Sequence, residues 1–82
     1  MKYLIVENDG DTSYISVNNI ESFTHDVEQG TVLCTCTSGA QHILIKADRY
    51  STGQYISKLV RKIKWEDITD IHIADFNKKY LK

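Results

Sequence analysis

The sequence predicts an α+β domain: an antiparallel β-meander of about five strands, one amphipathic helix packed on one face, and a C-terminal strand or short helix. Three observations carry this expectation. Asp-Gly, Gln-Gly and Ser-Gly pairs separate short β-branched runs at hairpin spacing. Ile56, Leu59, Val60 and Ile63 recur at the i, i+3, i+4, i+7 spacing of one buried helical face. The 82 residues, 41% hydrophobic before glycine is counted, suit one core and hence a single domain over 1–82, not a disordered chain.

The first strand pair follows from Asp9-Gly10, which lies between KYLIVE and TSYISV. A two-residue type I′ turn there pairs Leu4 with Ile15 and Ile5 with Tyr14, and sets Val6 and Val17 on the Leu4–Ile15 face. Beyond Val17 the run NNIES breaks the alternation, and Ile20 and Phe23 stand three apart. Asn18 or Asn19 is therefore expected to cap one helical turn before a strand through Phe23 to Val27. Gln29-Gly30 then turns the chain into TVLCTCT, and Ser38-Gly39 turns it into AQHILIK.

These last strands hold both cysteines. With Ser38-Gly39 as a two-residue loop, Cys36 faces Gln41, Cys34 faces Ile43 and Val32 faces Ile45, while His42 pairs with Thr35 on the other side. With Gln29-Gly30 as the preceding turn, His25 falls opposite Cys34 and Phe23 opposite Cys36. His25, Cys34 and Cys36 are thus the candidate metal or thiol set. A closed zinc site needs four tetrahedral ligands, and a flat strand pair supplies three. A Cys34–His25 nucleophilic pair has no orienting acid or oxyanion-hole loop beside it. Two cysteines two residues apart on a strand cannot close an unstrained disulfide. The expectation is two free, buried thiols, with no catalytic residue, metal or cofactor.

Other motifs carry less. ENDGD, residues 7–11, clusters acids around a glycine but lacks the spaced ligands and terminal glutamate of an EF-hand, so it reads as a charged hairpin tip. None of the four glycines forms a phosphate-binding pattern.

Ser51-Thr52-Gly53-Gln54 matches the S-x-x-Q capping box, predicting a helix from about 52 to 63. Leu59 and Val60 are expected over a sheet face made of Leu4, Ile15, Val32 and Ile43. The opposite helix face carries Lys58, Arg61 and Lys62, with Lys64 just beyond. In ITDIHI, Ile71 and Ile73 alternate around His72, so a strand is expected from about 69 to 75, although Trp65, Ile68, His72 and Phe76 also mark a helical stripe. NKKYLK, residues 77–82, reads as a basic C-terminal tail with Tyr80 and Leu81 as anchors.

Charge is unevenly laid out although the net is −1. Residues 1–41 carry Lys2 against Glu7, Asp9, Asp11, Glu21, Asp26 and Glu28, a sum of −5, which leaves +4 on residues 42–82. Such polarity steers a charged partner or orients self-association.

The run YISVNNIESF, then TVLCTCTSGAQHILIKA, then an amphipathic helix resembles the layout of the small flagellar FlbD family over roughly residues 14–63. The shared features are a strand ending in Asn, an apolar turn, a Thr-rich hairpin with Gly and the helix. The first hairpin strand and the tail have no counterpart there, and the resemblance implies no site.

Without a catalytic constellation or the size for a deep pocket, the chain is expected to be no enzyme. The expected function is a small protein-binding module, of the adaptor or inhibitor type that phages and other mobile elements encode. Ile5, Tyr14, Leu33 and Leu44 share the sheet face away from the helix and form the expected contact patch, for a protein partner or for a homodimer. The alternative is a nucleic-acid-binding regulator using Lys58, Arg61 and Lys62, against which a pI near 6.2 weighs. A cytoplasmic address is expected, because Tyr3–Val6 is too short an apolar run for a signal-peptide core or a membrane span, and the thiols are unpaired.

Overall fold

Asp9 and Gly10 both adopt positive φ, 51° and 85°, as a type I′ turn demands, and they join β1 (Tyr3–Asn8) to β2 (Asp11–Ser16). The resulting register pairs Leu4 with Ile15 and Ile5 with Tyr14, as the sequence predicts. The computed structural model describes residues 2–48 and 50–81. It comprises six strands in two small sheets and two helices, an α+β architecture.

The Val17 amide donates to the Lys2 carbonyl, so the β1–β2 ladder continues to the point where the chain enters a 3₁₀ turn, Val17–Asn19. Asn18 and Asn19 therefore sit inside this turn, and no side chain caps it. β3 (Ile20–Asp26), β4 (Thr31–Cys36) and β5 (Gln41–Lys46) form the second sheet in that order.

Both hairpin loops of this sheet are longer than the expected two residues. Between β3 and β4 the loop spans residues 27–30: the Asp26 carboxylate accepts the Gln29 amide at 3.2 Å, and Gly30 takes a φ of 66°. Phe23 consequently faces Cys34 and His25 faces Val32, two places from the expected register. Between β4 and β5, Gly39 adopts a φ of 92° at the end of a tight turn, its amide donating to the Cys36 carbonyl while the Cys36 amide donates to that of Ala40. That three-residue loop moves the register by one, so His42 lies opposite Cys34 and Ile43 opposite Leu33. A bulge then restores Val32 opposite Ile45 and makes Leu44 the extra residue. Leu44 turns into the core, 3% exposed, whereas Ile43 is 50% exposed.

The segment after β5 departs from the expected capping box. The Asp48 carboxylate accepts the Tyr50 amide at 2.8 Å, the Ser51 amide at 3.2 Å and the Ser51 hydroxyl at 2.7 Å. Ser51 is thereby committed to Asp48, and the helix α1 (Tyr55–Trp65) begins three residues late, with Gln54 as an N-cap that makes no side-chain bond. At the other end the Lys2 ammonium donates to the carbonyls of Ile63 and Glu66, a cation at the negative end of the helix dipole.

The C-terminal region differs most. Only Asp70–His72 forms a strand, β6, which runs parallel to β1 with Leu4 opposite Ile71 and makes the first sheet β2-β1-β6. Ile73 opens a helix, α2 (Ile73–Tyr80), so the expected strand to residue 75 and the expected tail from 77 give way to helix. Ile73, Phe76, Asn77 and Tyr80 have helical spacing, and Ile73 buries itself in the core at the first turn. Lys82 lies outside the described residues.

The core joins Leu4, Val6, Ile15 and Ile71 of the first sheet to Val32, Cys34, Cys36, Leu44 and Ile45 of the second, with Tyr55, Leu59 and Ile73 from the helices. Full burial of each aliphatic side chain contributes about 1.5–3 kcal/mol.

Candidate functional site: a cationic aromatic groove between the helices

Tyr55 sits at the base of α1 and meets Phe76 and Tyr80 of α2 edge-on, each at 5.2 Å between ring centroids. Phe76 and Tyr80 stack at 6.3 Å and 12° between planes, so the helices share one aromatic seam. Phe76 and Tyr80 are the floor of a groove of about 400 Å³ whose walls are Lys58, Arg61, Lys62, Trp65, Glu66 and Lys79.

The wall is cationic for a simple reason. Leu59 must face the core, so the turns of α1 present Lys58, Arg61 and Lys62 toward α2 and solvent. Lys62 pairs with Glu66 at 3.2 Å, the only ion pair among the described residues. Lys58 stands 5.5 Å over the Tyr80 ring, and Arg61 and Lys79 have no carboxylate partner among the described residues. Trp65 is the most exposed of the large hydrophobic side chains that line the groove, at 81%.

Of the expected binding residues, Lys58, Arg61 and Lys62 thus come together in one groove. The expected sheet patch does not form. Leu44 is taken into the core by the bulge, and Ile5, 5% exposed, is covered as a central-strand residue flanked by Tyr14 and His72. Tyr14 remains 68% exposed on β2, while Leu33 lies half-buried on the other sheet. Sequence reasoning missed Trp65, Phe76, Lys79 and Tyr80. The signal was the helical spacing from Ile73, hidden by reading Ile71 and Ile73 as strand alternation.

The thiol set is dispersed. Cys34 and Cys36 are free and buried, and burial, with the neighbouring Cys36, pushes the Cys34 thiol from 9.0 up to about 11, so it stays protonated at neutral pH. His25 instead shares a 2.6 Å hydrogen bond with the buried Thr52 hydroxyl, tying β3 to the segment before α1. No group of three or more His, Cys, Asp or Glu side chains suited to a metal occurs among the described residues. Burial likewise raises the Tyr55 phenol well above the usual range, keeping it a donor. No helix among the described residues is long and apolar enough to cross a membrane.

Compared with protein-family models, with curated proteins and with solved structures, the chain matches none.

Proposed function

We propose that this chain is a small non-enzymatic protein-binding module, of the adaptor or inhibitor type, and that its contact surface is the groove between α1 and α2. The observation that carries this reading is Trp65. A large aromatic side chain that is 81% exposed and lines one groove with Arg61, Phe76 and Tyr80 has the composition of an interface hot spot, in which Trp, Tyr and Arg predominate. Both thiols are buried, and burial holds Cys34 protonated at neutral pH, which favours recognition over catalysis. The same free thiols fit a cytoplasmic address.

One observation favours a second reading, a nucleic-acid-binding regulator. Lys58, Arg61 and Lys79 lie along the groove without carboxylate partners among the described residues, and such cations also suit phosphates.

The experiment compares two variants for retention of the partner in the native host, with protein and nucleic acid both identified. Lys58→Glu combined with Arg61→Glu reverses the groove, and Tyr14→Asp combined with Leu33→Asp alters the sheets. The groove variant is expected to lose a protein partner that the sheet variant keeps. Loss in the sheet variant alone would move the contact surface to the strands.

A further inference from the structure

Resting on that reading, the groove chemistry defines its occupant: we infer that it receives an acidic amphipathic segment of a partner protein, one or two large apolar side chains seated on the Phe76–Tyr80 floor and carboxylates on the Lys58, Arg61 and Lys79 rim. The floor is aromatic, and the one acid that lines the groove among the described residues, Glu66, is already paired with Lys62. An apolar residue without charge would leave the cations unused, and a charge without an apolar residue would leave the floor and Trp65 wet. Both demands are met by an acidic helix laid into a groove between two others. α1 has 11 residues, about 16 Å of helix, so the segment spans two to three turns, roughly 8–11 residues.

Two other occupants fit less well. In a second copy of this chain the most acidic element is the hairpin tip Glu7–Asp11, which has the charge but no apolar side chain to offer the floor. Single-stranded nucleic acid needs successive open ring faces for its bases. Here Phe76 and Tyr80 stack on each other and make one shared floor, not a row of separate ring faces, and Trp65 is the one highly exposed ring of the groove. The −5 charge of residues 1–41 further opposes a long polyanion.

Trp65 is the sole tryptophan, so its fluorescence reports occupancy of the groove directly. The probe is a synthetic helical peptide of about 11 residues with Leu on one face and Glu elsewhere. Its companions are the same peptide with Glu replaced by Gln, the same with Leu replaced by Ala, and a thymidine oligonucleotide of equal length. The Leu/Glu peptide is expected to shift Trp65 emission to the blue in a saturable way. Affinity is expected to fall about tenfold or more for either altered peptide, for Arg61→Glu with Lys79→Glu, and in salt raised from about 50 to about 500 mM. Arg61→Gln, a milder change on an exposed helix face, is expected to weaken binding without altering the circular dichroism spectrum. Equal affinity for the Gln peptide, or no shift with any peptide, overturns the acidic-segment inference. If a host protein is nevertheless lost from the groove variant, the protein-binding reading stands with a different partner chemistry. A saturable response to the oligonucleotide alone overturns both.

Discussion

The Tyr55 hydroxyl donates to Asn77 Oδ1 at 2.6 Å, and Asn77 Nδ2 donates in turn to the Leu44 carbonyl at 2.8 Å. One short relay therefore fastens α2 to α1 and to the bulged strand β5. It also explains why the floor of the groove is fixed: Phe76 and Tyr80 flank Asn77 on the same helix and close on the Tyr55 ring. No buried side-chain polar atom among the described residues lacks a hydrogen-bond partner.

Breaking this relay is expected to destabilise in a graded way. Tyr55→Phe leaves Asn77 Oδ1 unpaired and should cost about 1–2 kcal/mol, whereas Asn77→Ala orphans both the Tyr55 hydroxyl and the Leu44 carbonyl and should cost about 2–4 kcal/mol. Urea denaturation of the two variants checks the order, and a larger loss for Tyr55→Phe would contradict it.

Leu59 is fully buried where α1 meets both sheets. Leu59→Ala should cost about 2–5 kcal/mol, enough to threaten a domain of this size. Val60 is only half-buried, so Val60→Ala should cost less. Equilibrium unfolding of both variants tests this, and equal losses would place the helix differently.

The thiols should behave as packing groups. Replacing Cys34 and Cys36 together with Ala is expected to cost roughly 1–2 kcal/mol and to leave partner binding intact. Cys34 also sets a pH dependence. Its folded pKa is raised above the unfolded value, so the fold binds that proton more tightly. The contribution is fully present below pH 9 and is lost as pH rises from about 9 to about 11. Denaturation midpoints should fall over that window more steeply in the native chain than in Cys34→Ala. Identical slopes would show that the thiol is not buried in solution.

How much of this was legible in the sequence differs by region, for physical reasons. The β1–β2 register was readable because Asp9-Gly10 admits one turn, and that turn fixes every pair along it. The next two hairpins carried equally visible Gly signals but were misregistered. Their loop lengths depend on the Asp26–Gln29 bond and on where Gly39 takes its positive φ, which residue spacing does not reveal. The shift of one at Gly39, with the bulge that follows it, then put Leu44 in place of Ile43 in the core and so removed Leu44 from the expected sheet patch. Half of the groove was legible: the periodicity of α1 placed Lys58, Arg61 and Lys62 on one exposed face. The other half depended on α2, where Ile71 ends a strand and Ile73 begins a helix, an alternation that two residues cannot distinguish from continued strand.

The central claim is that the groove between α1 and α2 contacts another protein, and it is tested most directly by a photo-crosslinking amino acid placed at position 65 in the native host. The account predicts a discrete protein adduct that resists nuclease and disappears when Lys58→Glu and Arg61→Glu are added, while the same probe at position 14 gives none. A nuclease-sensitive adduct at position 65, or a protein adduct at position 14 alone, would contradict it.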